Sequence, residues 1–472
     1  MTATALLALL PVIAVAGASV VAMLAIAFRR HGGLAYAVTL LGLALSLALL
    51  PLSLSREPVA VTGLLRIDAY ALLFGGAAAG AALFVAVLCH AYFRQREREE
   101  IYILLLTATL GGMLLAASTH FAMLFLGLEI LSVSLFPLIA FRSRHRASLE
   151  AGIKYLILSG ISSALLLFGI GLVYSATGTL WLAETGSITD PVLLVGTLMV
   201  IAGLGFKLSL VPFHMWTPDV YEGAPAPIAA FIATVSKASV FAMLVRLWSS
   251  HGAHHDHRLL ALLSVIAAAS ILFGNLLALL QSNLKRMLGY SSVAHMGYAL
   301  AAFISGSVLE TAMLPESVTF YLLAYIVTNL AAFGTVSVLS GTAGECDRFE
   351  HYRGLFWKSP GPAIALTASL LSLAGIPLTI GFIGKFYVFA TGTDAGLWAL
   401  LAAVVVGSGI GLYFYLRVIW TLLEPVADEF PAESAGGAAK PALALLVLLV
   451  LAGGLFPEPV LKVIREIAKS LT

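Results

Sequence analysis

From residue 3 onward the chain repeats one pattern, an apolar run long enough to cross a bilayer followed by a short polar break. The runs predict helices at about 3–28, 33–54, 68–93, 101–119, 121–141, 149–175, 191–213, 225–248, 259–281, 285–305, 317–341, 360–391, 395–422 and 441–461. Composition agrees with that pattern. Of 472 residues, 60% are hydrophobic and only 11% charged, and mean hydropathy is +1.01; soluble domains carry roughly 25% charged residues. The expected fold is an all-α polytopic membrane protein with about fourteen transmembrane helices. The first run has no basic residues before it, is followed by Arg29, Arg30 and His31, and is too long for the apolar part of a signal peptide. It is therefore expected to be retained as a span.

Charge then orients the helices. The odd-numbered loops carry Arg29, Arg30, Arg94, Arg96, Arg98, Arg142, Arg144, Arg146, Lys285, Arg286, Arg348, Arg353, Lys358 and Lys440. The even loops and C-terminal tail carry only Arg56, Arg66, Arg258, Lys462, Arg465 and Lys469. This bias predicts odd loops in the cytoplasm and both termini on the outer side. The net charge of +2 identifies no partner, and without a basic patch interleaved with aromatics the chain offers nothing to nucleic acid. Cys89 and Cys346 lack the spacing of a metal site, so neither a disulfide nor an iron–sulfur centre is expected.

Six basic residues fall inside predicted helices: Lys154, Lys207, Lys237, Arg246, Lys385 and Arg417. Arg246 and Arg417 lie near helix ends, where a long side chain can snorkel to the interface. Lys237 lies about 18 Å deep at 1.5 Å per residue, and Lys207 and Lys385 are also mid-helix. Glu129 is the one carboxylate well inside a predicted span, and His295 is mid-helix in the tenth. A charge at the bilayer centre costs at least about 2.5–3.5 kcal/mol, which makes each of these a functional candidate.

Two of the helices should be broken. The seventh contains Lys207 and Pro212; the twelfth contains Pro377, with Gly375, Gly381 and Gly384 around it and then Lys385. Proline removes a backbone hydrogen bond, and irregular backbone at membrane depth is tolerated only where protein or water shields it. Breaks five spans apart suggest that helices 4–8 (residues 101–248) are repeated, inverted, as helices 9–13 (259–422). Helices 1–3 (1–100) and helix 14 with its tail (441–472) would then flank the repeats. Such pairs point to an ion or substrate site near the midplane, although prolines also serve simply to shape helix packing.

One carboxylate, several lysines and a histidine at similar depth suggest a row along the membrane plane. A lysine poised between desolvation and a nearby carboxylate can load and release a proton near neutrality. It can also transmit its state, since a unit charge 4 Å away is worth about 4 kcal/mol at an effective dielectric near 20. Each residue has a structural alternative: Glu129 in a static ion pair, Lys154 snorkelling to the cytoplasmic surface, His295 as a neutral hydrogen-bonded core residue. The histidine cluster from Ser249 to Arg258 reads as a solvated outer loop, and the stretch from Leu423 to Pro441 as a flexible cytoplasmic loop by its Pro, Gly and Ala content.

The motifs "FKLSLVPFHMWTPDVYEGAPAPIAAFIATVSKAS" and "NLKRMLGYSSVAHMGY" resemble the antiporter-like membrane subunits of proton-pumping NADH:quinone oxidoreductase, respiratory complex I, and among them subunit N most closely. The resemblance runs from helix 1 to helix 14. It implies inverted five-helix repeats with broken helices 7 and 12. It also implies proton-transfer roles for Glu129, Lys154, Lys207, Lys237, His295 and Lys385. It places NADH, FMN, iron–sulfur clusters and quinone in other subunits, with none in this chain. The implied partners are a neighbouring antiporter-like subunit, small membrane subunits and the lipid bilayer, in a bacterial cytoplasmic membrane. Two rivals stay open: a subunit of a multi-subunit sodium–proton antiporter, and a scaffold whose charges are locked in pairs.

Overall fold

The computed structural model describes residues 2–28, 30–54, 58–93, 99–184, 188, 190–250, 256–309, 313–340, 344–425 and 438–468. Most of the histidine cluster (251–255), the charged turn 94–98 and loop residues 426–437 lie outside the described residues. Among the described residues the chain is almost wholly helical. The first part comprises α1 (Ala3–Phe28), α2 (Gly32–Ser53), a hairpin of β1 (Val59–Val61) and β2 (Leu65–Ile67), α3 (Ala69–Tyr92), α4 (Glu100–Ala117), α5 (Phe121–Ile139) and α6 (Arg146–Thr177). The centre holds α7 (Pro191–Leu208), α8 (Trp216–Gly223), α9 (Ala226–Phe231), α10 (Lys237–Ser250), α11 (His257–Leu279) and α12 (Leu284–Leu309). The rest is α13 (Met313–Leu339), α14 (Leu355–Lys358), α15 (Pro360–Ala374), α16 (Ile380–Asp394), α17 (Trp398–Leu423), α18 (Ala439–Leu455) and α19 (Glu458–Ala468).

Twelve of these stretches are long and apolar enough to cross a membrane, counting α9 and α10 with the wide turn between them as one. The predicted twelfth span is two fifteen-residue halves, α15 and α16. The predicted fourteenth, 441–461, differs more. It stops at Leu455, and the chain bends by 79° into α19, whose Leu461 and Ile464 are buried while Lys462 and Arg465 lie on its polar side. Pro457 at that corner explains the stop, and the amphipathic pattern suits a helix lying along an interface.

Helix ends follow local chemistry. Asp68 caps α3 by accepting from the Ala71 amide at 2.8 Å, Asp190 caps α7 with Pro191 in its first turn, and Asp256 caps α11. α6 ends on Gly178 in the left-handed region, φ 71°. Loop contacts show which ends share a side. Leu65 bridges Ser118, and His120 bridges Trp181, so the predicted second, fourth and sixth loops meet. Asn283 bridges Arg348, joining the ninth and eleventh. These are the pairings that alternate crossing requires. The hairpin in the second loop went unpredicted, because three-residue strands carry too little alternation to read.

The core is uneven. The α9–α10 span is buried along its whole length, and α12 and α13 nearly so, whereas little of α2 is buried. The outward Leu, Ile and Phe side chains of α1, α2, α6, α17 and α18 match a lipid solvent. Buried polar side chains are frequent on α10, α12 and α13, while Glu129, Lys207 and Lys385 lie on the less enclosed α5, α7 and α16.

Candidate proton-transfer site

The break in α7 is stitched together polar group by polar group. The helix ends at Ser209, φ 63°, whose amide donates to the Phe206 carbonyl at 3.0 Å, while Leu210 N donates to Gly205 O at 2.8 Å. Trp216 Nε1 takes the Phe206 carbonyl at 2.9 Å, and Val211 N reaches Ser270 Oγ at 2.9 Å. No broken helix could sit in an apolar layer without such substitutes. Lys207 lies in the last turn of α7, where the helix's unpaired carbonyls favour a cation.

Lys207 is 3% exposed. Its ammonium donates to Ser132 Oγ on α5 at 2.7 Å and to Ser159 Oγ on α6 at 2.6 Å. Glu129 is half-buried on α5, one turn from Ser132, and accepts from Ser163 Oγ at 2.5 Å. Ser159 and Ser163 are four residues apart, hence on one face of α6. The carboxylate and ammonium thus lie within electrostatic reach without forming a contact ion pair.

A second cluster surrounds Lys237. A π-turn, Ile232–Ser236, separates α9 from α10 and delivers Lys237 at its end; such bulges recur at functional sites. Lys237 is fully buried. It donates to Ser292 Oγ at 2.6 Å and sits 5.5 Å from the Tyr221 ring centroid. Ser292 also bonds Tyr325 OH at 2.5 Å and Tyr221 OH at 3.3 Å.

One turn along α12, His295 bonds Tyr321 OH through Nδ1 at 2.7 Å and Tyr415 OH through Nε2 at 3.3 Å. Tyr415 OH continues to Ser291 Oγ at 2.5 Å. Both Lys237 and Lys385 lie within electrostatic reach of His295. Lys385 folds back over the second break. α15 ends on Gly375, φ 82°, and Lys385 Nζ donates to the Ala374 carbonyl at 3.0 Å and to Ser408 Oγ at 3.4 Å. Like Lys207, it therefore faces the carbonyl end of the first half-helix. A cavity with about 10 Å³ of room for water lies between His295, Tyr321, Tyr325 and Lys385, roughly what one water requires.

Lys154 stands apart from these clusters. Its side chain is 41% exposed and pairs with Glu150 at 2.6 Å and Asp219 at 2.7 Å. Asp219 in turn takes Arg286 at 2.6 Å, and Arg286 takes Glu222 at 2.9 Å. Lys154 is thus held by carboxylates, unlike the hydroxyl-bonded Lys207 and Lys237. Burial alone would raise the Asp219 carboxyl, but the Lys154 and Arg286 donors outweigh it and hold it below the usual carboxylate range.

Two other expectations change. Arg246 does not snorkel: it is 2% exposed and forks onto Asp68, with bonds of 2.8 and 2.7 Å, while Nε takes Ala116 O at 3.0 Å. Lys285, counted among the basic loop residues, instead lies in the first turn of α12, buried, where it pairs with Glu345 and donates to Ala224 O at 2.7 Å. The sequence reading also missed the bridging hydroxyls. The spacing of Ser291, Ser292, His295 and Tyr298 along one face of a helix was a usable signal for some of them. Cys89 and Cys346 are separate buried thiols, and among the described residues no group of three His, Cys, Asp or Glu side chains is placed to hold a metal.

A polytopic helical bundle with broken seventh and twelfth spans, holding separate clusters of lysines and hydroxyls within it, has the architecture of an antiporter-like membrane protein. A family model described as NADH:quinone oxidoreductase/Mrp antiporter, transmembrane, matches residues 118–411. The chain belongs to that family, and within it to the NADH-quinone oxidoreductase subunit N group. It is 53% identical over 470 residues to NADH-quinone oxidoreductase subunit N of Methylococcus capsulatus, covering 98% of this chain and 95% of that one. Its fold matches a chain of respiratory complex I from Thermus thermophilus with bound aureothin, at TM-score 0.84 and 34% identity over 96% of this chain and 98% of the other. A chain of the Mrp complex from Dietzia sp. matches at TM-score 0.88 over 100% and 98%, but at 22% identity it shares the fold alone.

Proposed function

We propose that this chain carries protons across the membrane as subunit N of an NADH-quinone oxidoreductase, and performs no redox chemistry itself. The observation that carries the proposal is the partner chosen by each deep lysine. Lys207, Lys237 and Lys385 place their ammonium groups on serine hydroxyls and a backbone carbonyl, with no carboxylate in contact among the described residues. A serine hydroxyl donates as readily as it accepts, so the neutral amine keeps its hydroxyl bonds and no ion pair has to break when a proton leaves. By contrast, Arg246 and Lys285, both buried, each hold a carboxylate. The scaffold reading, with every charge locked in a pair, fits the second set and not the first.

Glu129 acts as the charge that biases Lys207 through the serine pair. Lys237, Ser292 and Tyr325 hand the proton toward His295 and Tyr321, and the water-sized cavity joins these to Lys385. Between Lys207 and Lys237 the Tyr155 and Tyr221 side chains lie within mutual electrostatic reach, and the transfer there needs added water. Quinone reduction elsewhere in the complex supplies the energy as shifts of charge along this path. The two broken spans, with lysines at matching carbonyl ends, support the inverted repeat of 101–248 and 259–422, and the basic-residue bias supports termini on the outer side. Lys154 and its ion cluster would set the potential at the cytoplasmic end. Replacing Lys207 by alanine in the assembled complex should lower the proton-to-electron ratio; an unchanged ratio and turnover would remove its role. Sodium-dependent transport without electron transfer would favour the antiporter reading, to which only the shared fold points.

A further inference from the structure

A second cavity lies between α5, α6, α7 and α10, with about 20 Å³ of room for water, enough for one molecule. Its wall is apolar except at Thr197 and Trp248. Thr197 is 8% exposed and Trp248 3%, and neither Thr197 Oγ1 nor Trp248 Nε1 has a hydrogen-bond partner among the described residues. Such unpaired groups are rare in native cores and normally signify a bound water. A hydroxyl that accepts and an indole N–H that only donates are the complementary pair that a single water can join.

The location gives the site a use. Val200 on α7 and Leu244 on α10 both line the cavity. Lys207 lies seven residues beyond Val200, and Lys237 seven residues before Leu244. Seven residues is two turns, which returns to nearly the same helix face about 10 Å away. The cavity thus stands two turns from both lysines, toward the side where α7 begins. Leu204, which is buried, lies on the α7 face between, four residues from Val200 and three from Lys207.

We infer that Thr197 Oγ1 and Trp248 Nε1 bind an ordered water, and that this water is the vestibule of the Lys207–Lys237 pair, shut off from it by the plug at Leu204. The vestibule role rests on the proton-transfer reading above; the water site does not. In a structure of the intact complex that resolves waters, density should appear within hydrogen-bond distance of both atoms, and it should vanish in the Thr197→Val/Trp248→Phe double variant. No density there, or density bonded to neither atom, overturns the site. In liposomes holding the complex, Leu204→Ser should open a passive proton leak that the same double replacement reduces severalfold. A leak unaffected by the double replacement, or no leak from an assembled complex, overturns the vestibule while leaving the water site and the lysine pathway to their own tests.

Discussion

Glu129 and Lys207 face each other across two serines one turn apart on α6: Ser163 donates to the carboxylate at 2.5 Å, and Ser159 receives the ammonium at 2.6 Å. Opposite charges are thereby held near one another without collapsing into a contact pair. Such a gap suits a device that must let one charge come and go, because a buried contact pair is strongly destabilised when either partner is lost.

That arrangement makes the Ser159 hydroxyl a requirement. A hydrogen bond to a charged group is worth roughly 1.5–3 kcal/mol, so Ser159→Ala should slow coupled quinone reduction by about tenfold or more. Ser159→Thr, which keeps a hydroxyl, should retain most of the rate. Proton release and quinone reduction measured together in membrane vesicles check this; equal rates in all three proteins would refute it.

Ser292 joins Lys237 to Tyr325 and Tyr221, so one hydroxyl carries the link between α10 and α13. Ser292→Ala should impair pumping about as severely as Ser159→Ala, while Tyr221→Phe, which removes the longer 3.3 Å bond, should cost little. Assembly is followed separately by the yield of the intact complex, which neither change should lower.

Asp68 and Arg246 form a buried fork whose loss should act on stability. Removing Arg246 leaves the buried Asp68 carboxylate with the longer, solvent-reaching Arg66 contact at 3.5 Å, and losing one partner of a buried pair costs up to about 3–5 kcal/mol. Arg246→Met alone should therefore sharply reduce assembled complex. Adding Asp68→Asn, which keeps the α3 cap, should recover part of it. Thermal denaturation of the purified complex measures both, and a single variant as stable as the parent would contradict this account.

Asp219, on the short helix α8 outside the spans, has a depressed carboxyl. The stability it lends is therefore present above the unfolded carboxyl value, about 3.9, and is lost as pH falls through the lower folded one. Asp219→Asn should cost about 1 kcal/mol or less at neutral pH, since its partners are partly solvated. The difference from the parent should disappear in strong acid. A difference that instead grew as pH fell would assign the carboxyl the opposite shift.

The spans and the deep charges were legible because both follow from the cost of exposing polar groups to lipid, which acts residue by residue along the chain. The breaks were legible for the same reason: Pro212 and Pro377 interrupt runs that otherwise have no cause to stop. Partner choice was not. Hydropathy places Lys285 beside a polar loop and Arg246 near a helix end, but whether each meets water or a carboxylate depends on Glu345 and Asp68, 60 and 178 residues away in the chain. Tyr321 and Tyr415 reach His295 from α13 and α17, and nothing in either helix marks that contact. α19 was hidden in a different way, since its apolar face read as the tail of a span.

The pathway turns on Lys237, which is fully enclosed and, among the described residues, donates to the Ser292 hydroxyl and to no carboxylate. The decisive measurement is the number of protons moved per electron in liposomes holding the assembled complex with Lys237→Met, at matched quinone-reduction rates. A reduced ratio is the result expected here. The full ratio, at full turnover, would mean that protons take a route on which this lysine has no place.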